Sequence, residues 1–231
     1  MFLVGMPILG LAGLLTGISD VSQGRGLDFR PYGLATMAPG SWNAPLDAFL
    51  AGAAAEARAA FDGPVTYSAG TWEVVDWGPF DAVGANLYRD AGNAATHADD
   101  LRRLFDHDLP VLVTEFGCSA YQGAEAKGAN GDDVVDWTSG TPRLVGPPVR
   151  DEQVQADHID ELLDLFEAEG VAGAYVFQFI EPAAPYSDDP AHDLDMAGLS
   201  LVRVDGPDSP DAYEQTGRWH PKAAFDVLAR R

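Results

Sequence analysis

The run Val111-Leu112-Val113-Thr114-Glu115-Phe116-Gly117 limits what this chain can fold into more than any other segment. Its apolar residues are continuous rather than alternating, the mark of a parallel strand buried on both faces. Parallel strands need long crossover connections, and helices normally supply them. The flanking sequence agrees. Leu46, Phe49, Leu50, Ala53, Ala54 and Ala57 recur at helical spacing up to Phe61, with Asn43 as a capping residue, Pro45 at an early position and Asp62-Gly63-Pro64 as the stop. Val65–Ser68 and Phe80–Tyr88 read as strands, and a helix is expected from about Ala94 to Phe105.

The second half repeats the alternation. Residues 117–149 are an irregular stretch rich in Gly and Asp, and such a loop after a strand is usually functional or mobile. Val154, Ile159, Leu162, Leu163 and Phe166 form one helical face that Gly170 ends. Val171–Phe179 is another apolar strand, Gly198–Val204 a short extra strand or loop, and Trp219-His220-Pro221 introduces a last helix. With Phe2-Leu3-Val4 as a further strand, the order predicts a single α/β domain over residues 1–231. Five strand–helix units fall short of the eight of a closed barrel. A partial (β/α)8 barrel with outer helices is preferred to a doubly wound sheet. The reason is that Trp72-Glu73, Asn86-Tyr88-Arg89, Glu115 and Gln178–Glu181 follow different strands, whose carboxyl ends converge on one mouth in a barrel.

Charge narrows the partners. Asp and Glu number 36 against 14 Lys and Arg, for a formal charge of −22. Such a chain repels phosphate backbones and anionic lipid, so neither nucleic acid nor a membrane surface is an expected partner. Salt screens self-repulsion over roughly 3 Å at 1 M, which suits a salt-rich source. Raising KCl from about 0.1 to about 1 M is therefore expected to raise the melting temperature, and a flat or falling value in thermal melts contradicts that origin. Cys118, alone of its kind, permits neither an intrachain disulfide nor a cysteine zinc site. Met1–Ser19 is uncharged, but it has no basic leader region and is interrupted by Pro7 and four glycines. It reads as a buried strand with an apolar loop rather than an anchor, and the protein as soluble and cytoplasmic.

Glu115 is the sharpest single residue, a carboxylate ending a wholly apolar strand. It is either a functional group or one half of a structural ion pair, with Arg89 the obvious partner. Several carboxylates and tryptophans at one mouth fit glycoside hydrolysis, in which one carboxylate attacks the anomeric carbon and a second acid protonates the leaving oxygen. The candidates are Glu115 as nucleophile, Tyr88 as its orienting neighbour and Glu73 as acid. Trp72, Trp77, Asn86, Arg89, Gln178 and Glu181 are the candidate substrate contacts. No metal or other cofactor is expected: the five histidines lack helical zinc spacing. Asp188, Asp189, Asp193 and Asp195 lack the pattern of a calcium loop and read as a solvated acidic loop.

Thr114-Glu115-Phe116-Gly117 resembles the seventh-strand nucleophile motif of retaining glycoside hydrolases with (β/α)8 barrels. More of the chain resembles a bacterial group labelled abortive phage infection proteins, placed in the glycoside hydrolase superfamily. The matching blocks are Gly63-Pro64-Val65-Thr66-Tyr67, Trp72-Glu73-Val74-Val75-Asp76-Trp77, Phe80-Asp81, Leu87-Tyr88-Arg89-Asp90 and Thr114–Cys118. Further blocks are Arg150-Asp151-Glu152 with Gln155, Glu169-Gly170-Val171 with Gly173-Ala174, and Asp193-Leu194-Asp195-Met196-Ala197, so the resemblance spans roughly residues 45–231. It implies a carbohydrate substrate and retaining chemistry on Glu115. It also implies an acid/base Glu after the fourth strand, where this chain has Met6-Pro7 and no acid before Asp20. Either an upstream segment supplies the acid, or the barrel is degenerate and binds carbohydrate or another partner without cleaving it. The first strand, left as an edge, is expected to allow self-association.

Overall fold

The computed structural model describes residues 2–4, 43–146 and 148–231. The sequence position of the acid/base near Met6-Pro7, and the apolar stretch after Val4, lie outside the described residues. The chain divides into two compact units, Met1–Asn86 with Leu104–Leu112, and Leu87–Arg103 with Val113–Arg231.

In the first unit, β1 (Phe2–Val4) pairs in parallel with β2 (Val65–Gly70), Phe2 opposite Val65, and β2 pairs in parallel with β3 (Val83–Asn86), Ser68 opposite Gly84. Every residue of β2 and β3 is buried, the polar Thr66 and Ser68 of β2 included, as in a parallel strand covered on both faces. Helix α1 (Asn43–Ala60) connects β1 to β2 and buries Leu46, Leu50 and Ala54, the spacing that marked it. Asn43 opens the helix rather than capping it, and its Oδ1 is buried without a hydrogen bond. Short α2 (His97–Arg103) belongs to the second unit and gives way to a 3-10 turn at Leu104. Val83 N donates to Pro110 O at 2.9 Å, just before β4 (Val111–Phe116).

The second unit holds the last four residues of β4, with Phe177 N donating to Phe116 O at 3.0 Å just after β7 (Gly173–Val176). Helix α3 (Glu152–Ala168) starts on Asp151, whose carboxylate accepts from Gln153 N at 3.1 Å, and its C-terminus turns at Gly170 with φ 80°. It buries Ile159, Leu162 and Phe166; Phe166 meets Phe116 edge-on with ring centroids 5.0 Å apart. The stretch after β4 is not featureless: β5 (Val135–Asp136) and β6 (Arg143–Leu144) make a small antiparallel hairpin. Val202–Arg203 (β8) pairs antiparallel with His220–Pro221 (β9), α4 (Tyr213–Thr216) lies between them, and α5 (Ala223–Ala229) closes the chain. The sheet order β1-β2-β3-β4-β7, with helices before β2, between β3 and β4 and before β7 but only a loop between β2 and β3, is that of a partial (β/α)8 barrel.

Candidate active site

Glu115 is the fifth residue of β4 and only partly buried, while Val111–Thr114 and Phe116 around it are buried. Its carboxylate therefore stands where the apolar strand reaches the surface. Tyr88, two residues beyond β3, donates its hydroxyl to Glu115 Oε2 at 3.2 Å. The backbone holds the pair in register: Leu87 N donates to Glu115 O at 2.8 Å, and Asn93 Nδ2 donates to Tyr88 O at 2.8 Å. Burial first, and then the Glu115 charge, push the Tyr88 phenol far above its ordinary value, so it stays a hydrogen-bond donor at any working pH.

Arg89 does not make its ion pair with Glu115. Its guanidinium grips Glu161 on α3 in a two-point contact, at 2.7 and 2.8 Å, because Tyr88 and Arg89 are adjacent and diverge. The same guanidinium lies 3.4 Å from His158 Nδ1, one helical turn from Glu161. His158 is 3 % exposed, and its Nε2 is buried without a partner. Burial first, then Arg89, lower its pKa from 6.5 to about 4. A neutral folded histidine that must gain a proton on unfolding contributes stability above pH 6.5, and this is lost as the pH falls toward about 4. The loss is expected to be roughly 3 kcal/mol in denaturant titrations, and His158→Gln should flatten that part of the profile. An equal acid loss in the variant would assign the effect elsewhere.

In the first unit, Glu73 folds back on its own loop. Tyr67 Oη donates to its Oε2 at 3.0 Å and Gly70 N at 2.8 Å. Burial raises its proton affinity above that of an ordinary glutamate, against the lowering effect of these two bonds. Trp72 is 47 % exposed, and its indole covers Gly70, where a Cβ would come within 2.5 Å of the ring. Trp77 is 7 % exposed and packs among Tyr67, Phe80 and His107, so of these two tryptophans Trp72 carries the open face. Asn86 is buried at the end of β3 and accepts from Ser68 Oγ at 2.5 Å.

Gln178 and Glu181 follow β7 in the second unit. Gln178 exchanges backbone hydrogen bonds with the 199–201 segment, Leu201 N donating to Gln178 O at 2.8 Å. Glu181 Oε2 is buried without a hydrogen-bond partner and sits against Gly198, where a Cβ would approach to 2.7 Å. A side chain at 198 would have to displace the Glu181 carboxylate.

Behind this segment lies a cluster that sequence reasoning missed. Asp193 and Asp195 are not part of a solvated loop; both are buried, and Arg150 bonds them at 3.0 and 2.7 Å and Glu152 at 2.8 Å. Lys222, fully buried, reaches Asp195 and Ser200 at 3.3 Å each. The signal was present, because Arg150-Asp151-Glu152 and Asp193-Leu194-Asp195 stood out as blocks, but nothing in the chain announced Lys222. Among the described residues no three His, Cys, Asp or Glu gather to hold a metal ion, and no helix is long and apolar enough to cross a membrane.

The parallel sheet and its crossovers define the class as a partial (β/α)8 barrel. No protein-family model and no curated protein matches the chain. Among solved structures it resembles a GH113 β-mannanase from Alicyclobacillus acidocaldarius, with TM-score 0.50 and 19 % identity over 80 % of this chain and 50 % of that one. Two structures of a GH113 β-1,4-mannanase give TM-scores of 0.48 and 0.47 at 17 % and 18 % identity, covering 66 % and 64 % of this chain and 46 % and 45 % of theirs. The chain thus spans about half the length of these enzymes. The likeness to the A. acidocaldarius enzyme shows the fold.

Proposed function

We propose that this chain is a glycoside hydrolase-like protein that cleaves O-glycosidic bonds with retention at the anomeric carbon. The observation that carries the reading is the hydrogen bond from Tyr88 Oη to Glu115 at the carboxyl end of β4. A phenol that stays protonated donates to one carboxylate oxygen and fixes the orientation of the group. Glu115 attacks the anomeric carbon and forms a glycosyl ester as the acid gives its proton to the departing oxygen. Water, deprotonated by the same acid, then breaks the ester and restores Glu115. Within this chain Glu73 is the acid in this reading, because its carboxyl holds a proton more tightly than an exposed glutamate. Gln178, Glu181, Asn86 and Arg89 contact sugar hydroxyls, and Trp72 stacks on a ring.

The enzymes of similar fold are named for β-1,4-mannan, which makes β-1,4-linked mannans the first substrate class to test. The strand β1, an edge among the described residues, is the proposed surface for self-association. Turnover of β-1,4-mannan and a panel of aryl glycosides tests the reading, with Glu115→Gln as the control. Binding of oligosaccharide with no turnover at all would replace the hydrolase by a non-catalytic carbohydrate module.

A further inference from the structure

Tyr88 reaches Glu115 from a loop, and the loop is held at the backbone of Tyr88 itself. Asn93, half-buried, turns its carboxamide back on the chain: Oδ1 accepts from Asp90 N at 2.8 Å, and Nδ2 donates to Tyr88 O at 2.8 Å. Asp90 closes the turn with its own carboxylate, whose Oδ1 accepts from Gly92 N at 2.7 Å and from Asn93 N at 3.0 Å. Ala94 N donates to Asp90 O at 2.9 Å. The outer side of the loop is walled as well. Ala91 N donates to Ala126 O at 2.9 Å. Gly128, with φ 54°, lies so near that a Cβ there would stand 3.0 Å from Arg89 O and 3.2 Å from Asp90 Cβ. The Arg89 side chain is in turn tied to Glu161 on α3.

The two partners of the Asn93 side chain differ in kind, one an N–H and one a carbonyl. A carboxamide offers an acceptor and a donor and matches both, whereas an ionised carboxylate offers acceptors alone and an aliphatic side chain neither. Asp90 already closes the turn through Gly92 N, Asn93 N and its own carbonyl, so what the Asn93 side chain adds is a hold on residue 88. That hold bears on Glu115. Leu87 N donates to Glu115 O at 2.8 Å, which pins the backbone just before Tyr88, and Asn93 pins the carbonyl just after its Cα. The side-chain direction is then set, and one staggered arrangement brings the phenol to Glu115 Oε2 at 3.2 Å. A shift of about 1 Å at the ring would carry the pair out of hydrogen-bond range.

We propose that Asn93 is a positioning residue for Glu115 that acts through Tyr88, its carboxamide fixing the backbone that aims the phenol at the carboxylate; this rests on the reading of Glu115 as nucleophile. Turnover of an activated aryl glycoside by Asn93→Ala, Asn93→Asp, Tyr88→Phe and the double variant Asn93→Ala with Tyr88→Phe tests it. Asn93→Ala should lower kcat about tenfold with KM little changed, and should add nothing to Tyr88→Phe, because both remove the same bond. Asn93→Asp should match Asn93→Ala at pH 7. It should regain kcat relative to the parent as the pH falls toward about 4, where a protonated carboxyl is again donor and acceptor. Additive losses in the double variant, or an unchanged kcat in Asn93→Ala, overturn the proposal. A crystal structure of Asn93→Ala tests the clamp without turnover. Tyr88 Oη is expected to leave hydrogen-bond range of Glu115, and a contact kept at 3.2 Å overturns the proposal. A displaced phenol in a chain whose parent turns over no glycoside upholds the clamp and removes only the hydrolase reading.

Discussion

Glu115→Gln is expected to lower glycoside turnover by about 10³- to 10⁶-fold, with KM little changed. The amide has nearly the shape of the carboxylate, and Tyr88 Oη can donate to its carbonyl oxygen as it does to Oε2. Packing and substrate contacts should therefore survive. What is lost, in the proposed reaction, is the carboxylate that attacks the anomeric carbon, and no other carboxylate stands on β4 to replace it. Stopped assays with an activated aryl glycoside separate this from loss of the acid, because an activated leaving group needs little help from an acid, and a melting temperature equal to the parent's excludes a folding defect. Turnover in the variant within tenfold of the parent would remove Glu115 from the chemistry.

Asp195→Ala is expected to cost about 3–5 kcal/mol of folding stability, a loss at least as large as the acid-linked one at His158. Asp195 is 1 % exposed and takes bonds from Arg150 at 2.7 Å and from Lys222 and Ser200 at 3.3 Å. Removing it strands Lys222, whose side chain has no access to water and whose pKa burial already lowers in spite of Asp195. Arg150 would be less affected, because it keeps Asp193 and Glu152. For the same reason Lys222→Met should cost less than Asp195→Ala: the carboxylate left behind still has Arg150. Urea titrations of the two variants and of the double variant give the coupling. A loss below about 1 kcal/mol for Asp195→Ala would mean that water reaches the cluster.

The strand–helix order was readable because its signals are local. Leu46, Leu50 and Ala54 repeat at the helical period and are the residues α1 buries. The uninterrupted apolar run before Glu115 announced a strand covered on both faces, as β4 is. Boundaries were less exact for the same reason. Val83–Asn86 is half the length its composition suggested, since Phe80 closes a turn onto Trp77 O and the Asp81 carboxylate, rather than a strand carbonyl, accepts from Val65 N at 2.8 Å. Propensity sees residue types, whereas a ladder ends where a competing hydrogen bond takes the backbone.

The sequence by itself determined the parallel α/β pattern and the placement of Glu115 at a strand end. Tertiary structure decided which charges meet. Arg89 pairs with Glu161, which is 72 residues away in the chain, rather than with Glu115. Asp195 pairs with Lys222 across 27 residues, turning what reads as a solvated acidic loop into a buried cluster. It also decided which tryptophan is open, leaving Trp72 and Trp137 to solvent and covering Trp77. The physical reason is common to all three. Hydrophobic periodicity is written into neighbouring residues, but the partner of a charge and the cover of a ring come from segments that only folding brings together.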